Sequence, residues 1–283
     1  HMKNNEQEKF RYLLPTYEDF ELSRNKMRLN IFCENNNISC PKYITREVLE
    51  TDNFNYPIIK KPKHGSGAKD IVYIENKKDL NKCSIDFEID FIQERLPNPK
   101  DIEAGFYLCK EGEVISFYSH KRIRTYPKTG GVSIYSKAEY NKELESIGGH
   151  LLKQLNWSGI VMVEYLYDRT DNKYKLIEIN PRLWGSIMLS EFCNANFLRN
   201  YVDIALGGEV VKSEVNTNTY IRWVFPYDFV FFINNICNPL KFFKRSDDTC
   251  YINFSYTTFI TSWKFIMFTY MDFNKLKRIF RND

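Results

Sequence analysis

With 283 residues, the chain is long enough for one large or two modest domains around a sizeable core. Its 43% apolar and 27% charged content is that of a folded globular protein, and a net charge of only +4, without a strongly basic motif or zinc-type spacing, argues against nucleic acid as a partner. Seven scattered cysteines with no CxxC pair read as reduced thiols in a cytoplasm, which excludes a disulfide frame and a zinc site.

Residues 1–15 read as a disordered lead, with His1-Met2 a tag remnant. A helix is expected over about Thr16–Asn35, with Leu22, Met27, Leu29, Ile31 and Phe32 as its apolar stripe. Asn35-Asn36-Asn37 stops it, and Ile38-Ser39-Cys40-Pro41 turns into extended chain. Tyr56–Pro62 is a strand that ends in Lys60-Lys61. The loop Lys63–Asp70, with Gly65-Ser66-Gly67, leads to a strand at Ile71–Ile74. Such glycines let backbone N–H groups close over phosphates, and a strand-end lysine can reach the same charge, although a hairpin turn has the same look. His64 fits a loop residue better than a metal ligand. Asn76–Asn81 opens a short helix. Asp90–Leu96 is a strand with an abrupt polar end, Pro97–Lys100 a turn, and Asp101-Ile102-Glu103 opens a meander over Ala104–Lys110, Gly112–Lys121 and Arg122–Tyr126. Arg122 and Arg124 share one strand face. They either hold a phosphoryl group or form an exposed basic strand. Ala138–Leu155 and Ile187–Leu206 have helical spacing, the second ending at Gly207-Gly208.

Between those helices lies Gly159–Ser186, the most informative stretch. Ile160–Tyr165 is an apolar, β-prone run broken only by Glu164; Asp168–Lys173 is a turn; Tyr174–Ile179 is a second run that leads into Asn180-Pro181-Arg182. Residues two apart on a strand face the same way, so Glu178 and Asn180 point together, with Ile177 and Ile179 opposite. An antiparallel hairpin can bring Glu164 beside them. Two carboxylates and a carboxamide oxygen make a hard-oxygen site suited to Mg²⁺ on nucleotide phosphates. Arg182 faces the same way and forks onto phosphate or carboxylate. Without further context the same string is a surface hairpin with solvated acids.

The string Glu178-Ile179-Asn180-Pro181-Arg182, with Glu164 fourteen positions upstream, resembles the metal-binding end of the ATP-grasp superfamily, closest to its carbamoyl-phosphate-synthetase-like, carboxylate–amine ligase branch. Four further segments resemble that family in order: Asn25-Lys26 with Asn37–Pro41, Lys61-Pro62 with the glycine loop, Gln93-Glu94 with the acids after it, and Gly130-Gly131-Val132-Ser133. Asn25 and Asn37 depart from the family's aspartate and glycine, Pro99 stands where glycine is common, and Lys69-Asp70 stand where small residues are usual. The resemblance implies an α+β ATP-grasp fold, two lobes clasping ATP: a domain over 16–208, with a small lobe at about 42–93 and a large lobe at about 94–208. It implies that Lys26, Lys61 and the loop Gly65, Ser66 and Gly67 meet phosphates. Glu94 and the Arg95–Leu96 backbone would face adenine, and Asp101, or Glu103 as its rival, would take the ribose. Glu164, Glu178 and Asn180 would hold one or two Mg²⁺ ions, with Mn²⁺ as an alternative. Arg182, with Arg122 or Arg124, would stabilise the transferring phosphoryl group. The implied reaction joins a small-molecule or peptide carboxylate to an amine through an acyl phosphate. A silent ATP-binding module and an ATP-grasp kinase are the rivals.

The ends fit less simply. The family's usual N-terminal α/β domain does not precede Lys26; either the sequence begins after it or a partner supplies it. Residues 209–283 form an aromatic-rich C-terminal extension, and 19 of the 45 aromatics lie in Tyr220–Asp283. Trp223–Ile236 and Phe259–Met271 are too short to span a bilayer, which takes about 20 residues. The extension is read as aromatic core or as a docking face for a protein partner or another copy. A membrane surface, with Lys275-Leu276-Lys277-Arg278 at its edge, is the less favoured reading.

Overall fold

The computed structural model describes residues 12–65, 70–97, 102–126, 132–223, 228, 249–252 and 260. Ser66, Gly67 and Asp101, the Gly130-Gly131 loop, the N-terminal lead and most of the aromatic extension lie outside them.

The first helical stretch is two helices, α1 (Tyr17–Arg24) and α2 (Lys26–Asn35), where the sequence suggests one. Asn25 breaks them: its backbone is extended and its amide closes α1, while its side chain caps α2 by accepting from the Arg28 N–H at 3.0 Å. Asn37 ends the region with φ +57, the left-handed region that glycine usually takes. Next come β1 (Tyr43–Ile44), α3 (Arg46–Thr51), β2 (Ile58–Pro62), β3 (Val72–Ile74), α4 (Lys77–Lys82) and β4 (Asp90–Glu94). These strands form a four-stranded sheet, β1-β4-β2-β3, over a core of Ile44, Ile58, Ile74 and Ile92.

The rest of the chain builds a seven-stranded sheet, β11-β10-β7-β6-β5-β8-β9. Its strands are β5 (Ile102–Lys110), β6 (Glu113–Tyr126), β7 (Val132–Glu139), β8 (Gly159–Asp168), β9 (Lys173–Asn180), β10 (Tyr220–Trp223) and β11 (Thr249–Ile252). The expected strands 112–121 and 122–126 are one, β6. The expected helix from Ala138 starts only at Lys142, as α5 (Lys142–Gln154), because β7 runs to Glu139 and Asn141 caps the helix from its side chain. The expected helix 187–206 is two, α6 (Met188–Phe192) and α7 (Phe197–Ala205), with Asn194 and Asn196 at positive φ between them. Residues beyond 209 are not wholly an appendage, since β10 pairs with β7, and β11 with β10.

The chain forms two compact units. The first holds the four-stranded sheet, α1, α2, α5, α7, β5, β8, β9 and β6 as far as Ser119; the second holds His120–Glu139, Gly185–Asn194 and the chain from Glu214. In the first unit α5 packs Leu144, Leu151 and Leu152 against Tyr107, Val161, Val163, Tyr165, Leu176 and Ile179 of the sheet. Gly148 sits where α5 meets β5. A Cβ there would fall 2.1 Å from the Tyr107 hydroxyl and 2.6 Å from that of Tyr165. The Tyr107 hydroxyl donates to the Leu144 carbonyl and lies 3.1 Å from the Tyr165 hydroxyl. Gly148→Ala should therefore destabilise the fold by about 1–3 kcal/mol in urea unfolding. Adding Tyr107→Phe, which removes the nearest of the clashing atoms but leaves the ring carbon at 2.3 Å, should recover only a small part of that loss.

Candidate functional site

The hairpin β8–β9 sets the site. Its register pairs Glu164 with Glu178, and Asn180 with Met162. Directly paired residues share a sheet face, so both carboxylates and the carboxamide project together, as their spacing predicts. The register slips once: Glu164 pairs with Glu178, but Tyr165 pairs with Leu176, which leaves Ile177 as an extra, bulged residue. The bulge reconciles two patterns. Tyr174 and Leu176 fill the core on the α5 side, and Glu178 and Asn180 take the other face, which an unbroken alternation would not allow. Ile177 is thus no simple partner of buried Ile179; it is half-buried at the slip.

Around this pair the polar side chains are held tightly. The Asn180 Nδ2 donates to Glu178 Oε1 at 2.9 Å, and its Oδ1 accepts from Arg182 at 3.3 Å. Lys26, the first residue of α2, places its ammonium 3.6 Å from Glu178 Oε2 and donates to the Gly65 carbonyl. Its backbone N–H donates to the Lys63 carbonyl at 2.8 Å, and Asn25 meets His64. The start of α2 is thereby stitched to the near end of the glycine loop, where Gly65 has φ +128. Lys61 lies on β2 opposite Phe91, its ammonium 5.2 Å from that ring. It is only 4% exposed. Burial, and then the charge of Lys26, lower its pKa to about 8, with Glu178 opposing them. Adjacent Lys60 faces away and pairs with Asp90 at 3.1 Å.

Among the described residues no group of three or more His, Cys, Asp or Glu could hold a metal. Two carboxylates and one amide are a partial set, of the kind Mg²⁺ uses when phosphates and waters fill its other positions. Lys26 now neutralises Glu178. A divalent ion would take over that role and leave Lys26 for phosphate.

The remaining predicted positions divide. Glu94 closes β4 and accepts from Lys175 at 3.1 Å. Leu96 is buried. Arg95 does not fit an adenine contact through its amide, because that N–H donates to the Pro57 carbonyl at 3.1 Å, and its guanidinium is held by Glu75 and the Tyr73 ring. Glu103 does not fit as the ribose ligand. It pairs with Tyr165, on the face opposite Glu164, and its oxygens accept from Tyr174 at 3.0 Å and Asn141 at 3.3 Å. Arg122 and Arg124 belong to the second unit, where Arg124 and Arg222 both bond the buried carboxylate of Asp228. Lys175 and Asp168 escaped the sequence reading. A lysine inside an apolar strand, with acids at the turn before it, was the signal.

A family model described as "ATP-grasp in the biosynthetic pathway with Ter operon" matches residues 107–225. Among curated proteins, Acetyl-CoA carboxylase 1 of Arabidopsis thaliana is 26% identical over 153 residues, which is 50% of this chain and 7% of that protein. The methylcrotonoyl-CoA carboxylase alpha subunit of Glycine max is 21% identical over 186 residues, 59% of this chain and 25% of that protein. This chain therefore spans only a small part of those relatives. Among solved structures, biotin carboxylase of Campylobacter jejuni superposes with a TM-score of 0.59 at 15% identity, covering 73% of this chain and 51% of that one. N5-carboxyaminoimidazole ribonucleotide synthetase of Thermotoga maritima gives 0.54 at 18% identity, covering 71% and 54%.

Lys61 gives the site a pH signature. Its folded pKa of about 8 lies below the ordinary lysine value of 10.5, so the unfolded chain binds more protons between those limits. Stability should rise with pH across that window and carry the full penalty below pH 8. Lys61→Met should raise stability by roughly 3 kcal/mol below pH 8, and the gain should fade towards pH 10.5. Parallel wild-type and variant melts from pH 7 to 10.5 would read this; a gain that does not vary with pH would refute it.

Proposed function

We propose that the chain is an ATP-grasp protein and an ATP-dependent ligase that joins a carboxylate to an amine or similar nucleophile, a reading supported by the family model over residues 107–225 and by the shared fold. The observation that carries this reading is the Glu164–Glu178 pair with Asn180, set directly against Lys26 and Lys61. Carboxylates that could hold a metal lie beside lysines that could meet phosphate, which suits a metal–triphosphate. The relatives and neighbours are carboxylases and synthetases, which favours turnover over a silent binding module or a kinase.

Glu164, Glu178 and Asn180 would hold one or two Mg²⁺ ions. Bound there, Mg²⁺ (or Mn²⁺) would neutralise triphosphate charge. Lys26 and Lys61 would bind the phosphates, and proximity of the phosphates would keep Lys61 protonated. Glu94 would lie at the base. A substrate carboxylate oxygen attacks the γ-phosphorus, the bond to the β-phosphate oxygen breaks, and acyl phosphate and ADP result. The amine then adds to the acyl carbon, phosphate leaves, and the amine's proton is lost to solvent. No covalent enzyme intermediate is needed; the chain's task is alignment and charge neutralisation. Arg182, whose guanidinium donates to Asn180 Oδ1, would stabilise the developing charge, with Arg122 on the substrate side. Arg124 is the weaker candidate because Asp228 already holds it. The acid and amine are small molecules or a peptide end. A cytoplasmic location fits the free thiols of Cys33, Cys40, Cys83, Cys109 and Cys193. No helix among the described residues is long and apolar enough to cross a membrane.

Melting with MgATP tests the reading. A nucleotide that binds the native state raises the melting temperature by mass action. The wild type should show a Mg²⁺-dependent rise, and Glu178→Gln should lose it while keeping its ligand-free melting point within a few degrees. In a substrate screen read by ADP release, the same variant should lose activity by about a hundredfold or more. Undiminished ADP release in Glu178→Gln would remove the metal assignment.

A further inference from the structure

The face that carries Glu164 and Glu178 continues along the hairpin. By strand alternation Leu166 and Asp168 follow Glu164 on it, and the register sets Ala104 against Glu164, with Ile102 and Lys175 against Leu166. Asp168 lies four residues from Glu164, about 13 Å at the strand rise. That is roughly the span of a nucleotide from its phosphates to its base. The metal end of the face therefore has a base end, an apolar strip of Leu166 and Ile102 bounded by charge.

Lys175 occupies that end. Its ammonium lies 2.7 Å from Asp168 Oδ2, 3.1 Å from Glu94 Oε1 and 3.5 Å from Asp171 Oδ2. Asp168 is fully enclosed and is held from the other side by the Thr170 N–H at 2.9 Å and hydroxyl at 2.7 Å. Burial opposes charge on Lys175, but the bonds to Asp168 and Glu94 outweigh it and hold its pKa above the ordinary value. Glu94 ends β4 in the four-stranded sheet, whereas Lys175 belongs to β9 in the seven-stranded one. The contact joins the two sheets of the first unit at one end of the site, as Lys26–Glu178 joins α2 to the hairpin at the other.

We propose that Lys175, anchored by Asp168, is a positioning residue for nucleotide: it fixes the Glu94 carboxylate at the base end of the site, on the same hairpin that carries the metal carboxylates. The ligand it serves is the base and ribose part of a nucleoside triphosphate. The inference rests on the nucleotide reading above. Glu94 on a free side chain would sample several rotamers, and the held carboxylate meets a base without that ordering cost.

Isothermal titration of wild type, Lys175→Met and Lys175→Arg with the Mg²⁺ complexes of a non-hydrolysable ATP analogue and of tripolyphosphate tests this. Tripolyphosphate carries the metal and phosphates but no base. Lys175→Met should weaken the ATP analogue about tenfold, the size of one charge-assisted contact, and leave tripolyphosphate within about twofold. Lys175→Arg should restore most of the loss. Equal weakening of both ligands would overturn the proposal, because a general distortion of the hairpin acts on both. So would unchanged binding of the ATP analogue. A wild type that binds neither ligand would remove the nucleotide reading and this inference with it, an outcome distinct from either of those.

Discussion

One strand register governs this molecule. Glu164 and Glu178 lie opposite each other across β8 and β9, and two like charges so placed repel unless a cation stands between or beside them. Lys26 and buried Lys61 supply positive charge at that point, and each is delivered by a different element: α2 and β2. The position of α2, its tie to the glycine loop and the depth of β2 all bear on how this small group of charges is balanced. A metal–triphosphate would bring both signs at once, cation to the carboxylates and anion to the lysines.

The site is therefore poised rather than relaxed. Lys61 is a buried ammonium next to another ammonium, with its pKa pulled down to about 8. Such an arrangement costs folding energy, and the four-stranded sheet carries it on β2, beside its core of Ile44, Ile58, Ile74 and Ile92. Phosphate would relieve the strain that folding imposes. The Lys175 cluster is the opposite case, with three carboxylates around one ammonium and its charges held in place before any ligand arrives.

The hairpin bulge links fold to chemistry. Tyr174 and Leu176 must face α5, while Glu178 and Asn180 must face the site, and a strict two-residue alternation cannot satisfy both. One inserted residue, Ile177, switches phase between the two halves of β9. The same alternation explains why Glu103 turns away from the site. It pairs with Tyr165 just past the slip and is taken up by Tyr174 and Asn141 as part of the helix-side packing.

What the sequence determined by itself was local and periodic. The hairpin, the common face of Glu178 and Asn180, and the strand-end position of Lys61 follow from two-residue alternation and turn chemistry, which are written into adjacent residues. The spacing of Glu164 from Glu178 was legible too. The breaks at Asn25 and between α6 and α7 were not, because asparagine as a cap or at positive φ looks like an ordinary helix residue in a periodic stripe. Nor was the fate of Arg95, Arg124 and Glu103: each looks available in the sequence, and distant partners in the chain, Pro57 and Glu75, Asp228, and Tyr174 with Asn141, take them up. Only the tertiary structure decided which charges meet. Electrostatic partnership depends on distance in space, and Lys175 reaches Glu94 across 81 residues of chain that no local pattern connects.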